Sequence, residues 1–463
     1  MAERPAHPYI PNSAPATTAD MLAEIGVSGL DDLFAAVPER LRAKAPVNLP
    51  PSLAAEADLR RYFGAALAEN SACDTMLSFL GGGCWNHHVP AVCDEIGSRG
   101  EFTTAFFGLG PASTHGAYQA IFEYQSMIAE LTGLDLATVP TYDWGWGASV
   151  GLLMATRVTG RSRVLVARSA GPQRRLQIAS RLPRSLELVE IPFLDDTGAI
   201  DLAGLQSALD GAASLYLEVP SYLGVIEPEL RTISRLVHEA GALLVVGADP
   251  TSLGSVAPPG DYGADIACGD LQPLGHHMGF GGSSAGFLAT TLDERVVAEL
   301  PSIFIVAVPT EREGEHDYFW GNFEVTSYET RGAATDFTGC SSALAGIVAA
   351  TYLAAMGPQG MADLAEGLMQ RRAYAVSRLS RIPGLVACRF PAPGLKEWVV
   401  DFSPAGVTVP EVNTALSERG IFGGAPLGRD FAELAGCALY CVTERHTRAD
   451  IDRLATALEE IVA

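Results

Sequence analysis

The sequence predicts an α/β protein: a large domain with a mainly parallel β-sheet, followed by a smaller α/β C-terminal domain. Three observations predict it. From about residue 140 to 305, short apolar runs alternate with amphipathic helical stretches, the pattern of strands buried on both faces and joined by crossover helices. After residue 340 comes a long helical stretch, then short strands and a last helix. The chain has 463 residues, 48% of them hydrophobic, which is enough for a large core divided over more than one domain.

Taken in order, residues 1–70 read as an N-terminal arm with helices. Thr18 precedes the helical pattern ADMLAEIG, and DDLFAAVPERLR and LAAEADLRRYFGAALAEN repeat the apolar spacing of a helix. A glycine-rich stretch, SFLGGGCWNHHVPAV, opens the large domain, set at residues 71–340. Residues 117–134 form a strong amphipathic helix closed by Gly133. RVLVA (163–167), SLYLEV (214–219), ALLVVG (242–247) and ADIACG (264–269) read as buried strands. Residues 341–463 make the last domain: an apolar helix ended by Gly357, a second long helix, the strands EWVVDF and ALYCVT, and the terminal helix ADIDRLATALEEIVA.

Composition excludes several functions. With 54 acidic and 31 basic residues the formal net charge is -23, so nucleic acid and anionic membrane surfaces are not expected partners. No apolar run reaches the length of a membrane span, and the N-terminus lacks a signal pattern, so a cytoplasmic protein is expected. The eight cysteines are irregularly spaced, with no CxxC pair, and read as reduced thiols rather than a zinc site. His87–His88 and His276–His277 are adjacent pairs; neighbouring side chains point apart, so no metal site is expected there. The glycine runs 81–83 and 280–286 lack the spacing of nucleotide loops and read as places of close backbone approach at a cleft or subunit interface. The basic residues include only two lysines, Lys44 and Lys396, so amine chemistry has two candidates.

Several blocks carry a family resemblance. YIPNSAPATTADMLAEIGVSGLDDLFAAVPERLR, SFLGGGCWNHHVPAV, SRGEFTTAF, QAIFEYQSMIAELTGLDLA, YLGVIEP, DPTSLGSVAPPGDYGADIACGDLQPLG and FGGSSAGF occur in this order. The chain resembles the alpha subunit of glycine decarboxylase, the glycine cleavage system P-protein, as a divergent paralogue. The resemblance implies the fold-type-I pyridoxal phosphate (PLP) transferase architecture. It also implies a heterodimer or heterotetramer in which a beta-type subunit carries the PLP lysine. The family's reaction decarboxylates glycine and passes the aminomethyl group to a lipoyl carrier protein.

By that resemblance Asp249 stands at the position that pairs with the pyridinium nitrogen, and Gln272 at the position of the Schiff-base lysine. Glutamine cannot form an imine. Neither lysine is expected near this place: Lys44 lies in the N-terminal arm and Lys396 in the small domain. PLP is therefore expected on, or shared with, a partner, and not held covalently here. Asp249 also fits a plain turn residue before Pro250. Tyr142 and Asp143 match the family at the helix N-terminus that would face the phosphate. Trp144 and Trp146 are bulky where the family is small, and read either as filling that cup or as packing aromatics.

The chain departs from the family at residues 103–116, where Phe106, Leu109, Gly110, Ala112 and His115 replace polar positions. That loss disfavours glycine and leaves two explanations: the complex acts on a different amino acid, one larger or more apolar, or this loop no longer serves catalysis. A second departure puts Gly332 and Ala333 beside Arg331 and Thr335, and shifts Cys340. Arg331 fits a carboxylate ligand or a surface ion pair. His87 matches a family histidine, His276 reads as lining the cleft or capping a loop, and Arg99 and Glu101 as structural. Three functions compete: an alpha-type enzyme subunit, a free-standing homodimeric enzyme without PLP, and a non-catalytic scaffold.

Overall fold

A computed structural model of the chain describes residues 6, 9–42, 48, 50–53, 55–103, 115–281, 285–321, 338 and 342–463. They fall into two compact units, Met1–Asn70 and Ser71–Ala463. The first carries the helices Pro15–Ile25 and Glu56–Leu67, neither with a buried residue among those described. Pro15 rather than Thr18 opens the first helix, because proline is preset for that position. The helix expected in DDLFAAVPERLR is replaced by short 3₁₀ turns, Leu30–Phe34 and Glu39–Leu41. Pro38 between them lacks the N–H a continuous helix would need.

The second unit begins with a short strand β1 (Leu77–Ser78) and then builds a seven-stranded sheet. Its members are β2 (Leu136–Ala137), β3 (Arg163–Ala167), β4 (Glu187–Ile191), β5 (Ala212–Val219), β6 (Leu243–Ala248), β7 (Ile266–Asp270) and β8 (Gly286–Thr290). The strand order is β2-β8-β7-β6-β5-β3-β4. Strands β3 to β7 pair in parallel, and β8 and β2 close one edge antiparallel. Every residue of β5 is buried. Alternate side chains serve opposite faces: Tyr216 and Val245 pack with the helix Trp144–Thr159, while Leu215, Leu244 and Val246 pack with Ile233 and Val237 of the helix Leu230–Glu239. Burying each such aliphatic side chain stabilises by about 1.5–3 kcal/mol.

The hairpin β9 (Ile305–Pro309) and β10 (His316–Trp320) follows, then the helix Ala343–Leu379. That helix breaks at Gly357, φ 61°, next to Pro358, as its glycine predicts. The last layer has β11 (Glu397–Asp401), β12 (Ile421–Phe422), β13 (Ala425–Pro426) and β14 (Cys437–Cys441). Strands β11, β14 and β13 form one antiparallel sheet, and β12 pairs with β1. Phe79 thus belongs to the C-terminal core, beside Trp398, Tyr440 and Leu458. Among the described residues no helix is long and apolar enough to cross a membrane.

Candidate functional site

Strand β6 delivers Asp249 to the end of the sheet, where it is buried. Its Oδ1 accepts from the Thr251 backbone N–H (3.0 Å) and hydroxyl (2.8 Å). Asp249 is thus a turn residue, and it does more. Its Oδ2 lies 2.7 Å from Lys396 Nζ. The sequence assigns Lys396 to the small domain and away from this place; the structure corrects that. Lys396 lies just before β11, 1% exposed, and crosses from the C-terminal layer into the cleft. Its Nζ also donates to His87 Nε2 (2.9 Å) and Thr251 Oγ1 (3.2 Å), and sits 3.7 Å from the centre of the Trp85 ring.

His87 links this cluster to the C-terminal layer. Because Nε2 accepts from Lys396, the ring proton is on Nδ1, which donates to Glu444 Oε2 at 2.8 Å. Burial, then the Lys396 charge, hold the imidazole below its usual range. Burial opposes the Glu444 carboxylate too, but the His87 hydrogen bond and the His88 N–H bring it down to about 2. Asp249 is likewise held low, since Lys396 overrides its burial.

Gln272 sits beside this cluster as an amide staple. Its Oε1 accepts from Trp85 N–H (3.0 Å), and its Nε2 donates to the carbonyls of Trp85 (3.0 Å) and His276 (3.1 Å). It thereby fixes the indole that floors Lys396. His276 turns its ring the other way, to the Ala345 carbonyl at 3.0 Å. His88 and His277 are exposed, the latter 3.0 Å from Asp94.

The helix Trp144–Thr159 points its N-terminus at the cleft, but Asp143 already caps it. The Asp143 carboxylate accepts from Trp146 N–H (2.6 Å) and Gln177 Nε2 (3.0 Å). Trp144 is buried beneath Arg174, whose guanidinium lies 4.1 Å from the indole centre and pairs with the buried Glu218. Trp146 turns aside to Tyr142 (4.7 Å) and Arg181 (3.4 Å). One of the two tryptophans lines the cleft and the other packs away from it.

These residues do not fit PLP. Asp249, which the resemblance sets against a pyridinium, is held by Lys396. The space left among Trp85, Trp144, Arg174, Asp249 and Lys396 is about 10 Å³, room for about one water. Gln272, which the resemblance sets at the imine position, already spends its amide on Trp85 and His276, and the helix N-terminus holds the chain's own carboxylate. Outside this plug lies an open cleft of about 1060 Å³, bordered by Gly82, His88, Asp143, Gln177, His277 and Arg445. At its rim the glycine run makes the expected close approach: a Cβ on Gly81 would fall 2.2 Å from Glu397 Oε1.

The structure gathers His87, Asp143, Asp249 and Gln272 about one cleft, with His276 behind it and Tyr142 outside. Phe106, Leu109, Gly110, Ala112, Arg331, Gly332, Ala333, Thr335, Cys340, Lys44 and the side chain of His115 lie outside the described residues. Among the described residues no cluster of metal-ligating side chains is found. Arg99 and Glu101 form an exposed ion pair at 3.2 Å. Sequence reading missed Lys396, Glu444 and Trp85. One signal pointed to Lys396: a rare lysine in an arginine-rich chain, just before the apolar strand EWVVD.

A pH dependence follows. Burial holds His87, His276 and His446 below the usual histidine value, about 6.5. Below that pH the unfolded chain takes up protons that the folded chain refuses. Their contribution is complete above about pH 6.5 and declines as pH falls, by up to about 1.4 kcal/mol per pH unit for each histidine. The Tm is expected to drop from pH 7 to pH 5, and His87→Gln to flatten that drop. An unchanged slope in the variant would show that His87 is not held neutral.

A family model described as glycine cleavage system P-protein matches residues 7–387. The chain is 36% identical over 455 residues to a probable glycine dehydrogenase (decarboxylating) subunit 1 of Thermococcus kodakarensis, covering 98% of each. It is 35% identical to a protein of the same description from Geobacillus kaustophilus, again with 98% of each covered. A crystal structure of glycine decarboxylase (P-protein) in inhibitor-bound form superposes with a TM-score of 0.86 at 33% identity, covering 97% of this chain and 98% of that one. A sphingosine-1-phosphate lyase of Burkholderia pseudomallei shares the fold, with a TM-score of 0.63 at 17% identity over 93% of this chain and 94% of that one.

Proposed function

Because the chain belongs to the glycine cleavage system P-protein family, we propose that it is the alpha-type subunit of a heteromeric, PLP-dependent glycine decarboxylase-like enzyme. Its fold is that of the fold-type-I PLP enzymes. The cofactor is held by a lysine-bearing beta-type partner, and this chain supplies neither an imine nor an electron sink. The observation that carries the reading is the plug at Asp249, whose carboxylate Lys396 neutralises; the resemblance, which sets Gln272 at the imine position, supports it. The relatives' designation as subunit 1 supports a second subunit.

The substrate belongs to the same proposal. A small amino acid is decarboxylated, with a lipoyl carrier protein as acceptor of the remaining group. The apolar replacements within residues 103–116 extend the range to amino acids larger or less polar than glycine. The test mixes this chain with the lysine-bearing subunit from the same source, PLP and the carrier protein. Release of CO₂ is then followed from carboxyl-labelled glycine and from a panel of larger amino acids. Release is expected only when both chains are present. Release by this chain with PLP alone would support a free-standing enzyme. Equal release by the partner alone would reduce this chain to a scaffold. Either result overturns the proposal.

A further inference from the structure

We infer that the pocket around Asp249 has become a binding site for a primary ammonium group, and that Lys396 is its built-in occupant. An ammonium has three N–H donors and no acceptor. Here each finds one acceptor: Asp249 Oδ2 at 2.7 Å, His87 Nε2 at 2.9 Å and Thr251 Oγ1 at 3.2 Å. The Trp85 ring, 3.7 Å away, adds a cation–π contact.

Every one of these groups is fixed by a further bond. Thr251 donates its hydroxyl hydrogen to Asp249 Oδ1, so the Thr251 oxygen is left to accept from the lysine. His87 is set in its tautomer by Glu444. The Trp85 backbone is held on both sides by Gln272. The shell leaves none of the three ammonium hydrogens unpaired, as burial of a charge requires. It also distinguishes Lys396 from an amine nucleophile, which would need a free lone pair and space for a carbonyl group. Neither is present: all three hydrogens are engaged, and about 10 Å³ remains beside them.

The site joins segments that are remote in the chain. Asp249 and Thr251 follow β6, His87 follows β1, Lys396 immediately precedes β11 and Glu444 follows β14. The occupied site therefore ties the C-terminal layer to the end of the seven-stranded sheet. The inference rests on the pocket alone and stands whatever the assembled protein catalyses.

The experiment removes the tether and leaves the site. The full-length Lys396→Ala chain is titrated with ethylammonium and n-propylammonium, with tetramethylammonium at equal ionic strength as the control, and Tm is read. The variant is expected to melt several degrees below the parent. The primary ammoniums are expected to recover part of that loss in a saturable manner, with no such effect on the parent. Tetramethylammonium, which has no N–H, is expected to do nothing, and Asp249→Asn in the Lys396→Ala background to abolish the recovery. Equal responses to all cations, or none, would overturn the inference.

Should Lys396→Ala not fold, the parent chain gives the answer. It has only two lysines, so labelling their side-chain nitrogens with ¹⁵N yields a readily assigned spectrum. A Lys396 signal split by three slowly exchanging protons is expected, and it should shift in Thr251→Val. A neutral amine signal, or one exchanging as fast as a free lysine, would refute the site.

Discussion

Lys396→Met is expected to lower the folding stability of the chain by about 3–5 kcal/mol near pH 7, the usual effect of leaving one partner of a buried ion pair unpaired. Methionine keeps much of the lysine's length and apolar stem but removes the charge. Asp249 would then stay buried as a carboxylate answered only by Thr251. Asp249→Asn should be damaging in the mirror sense, because it strands the lysine. The double variant leaves two neutral groups facing each other. It is expected to be far less harmful than the sum of the single changes, giving a coupling of several kcal/mol. Chemical denaturation of the four proteins measures this. Strict additivity would mean that the 2.7 Å contact carries no energy of its own.

Gln272→Lys is expected not to create a covalent cofactor site, even though it places an amine at the position that the resemblance sets for the imine lysine. Three features oppose it at once. Asp249 is already neutralised, so it cannot hold a pyridinium. The space beside it, about 10 Å³, has no room for an aromatic ring. Asp143 caps the helix that would otherwise meet a phosphate. The substitution also removes the staple on Trp85 and leaves its buried N–H to find a new partner, at about 1–3 kcal/mol, while the Trp85 carbonyl keeps the His87 N–H at 2.9 Å. Incubation with PLP, borohydride reduction and mass measurement should show the unmodified chain. A stoichiometric adduct on the new lysine would mean that the pocket opens more readily than its plug implies.

Much of the fold was legible because apolar periodicity reports which faces are buried. Arg163–Ala167 is a strand with the bounds read from sequence, and the other buried runs fall within two residues of β5, β6 and β7. Gly357 announced its own break through its positive φ. Periodicity failed where proline overrides it, as at Pro38, and gave no warning of the exposed edge strand Glu187–Ile191, whose side chains are mostly open to solvent. The site was legible only by half. Asp249, Gln272 and His87 sit in motifs and converge on one cleft. Lys396 and Glu444 reach that cleft from the ends of β11 and β14 in a different sheet. No local pattern records which strand ends meet in space, so the lysine was placed in its layer but not in its pocket.

The proposal rests on two statements: the Asp249 pocket of this chain is closed to PLP, and a partner holds the cofactor. The most direct test is borohydride reduction of the assembled pair with PLP, followed by peptide mass mapping of both chains. The account predicts one pyridoxyl group on a lysine of the partner and none on Lys44 or Lys396. A pyridoxyl group on Lys396 would contradict it.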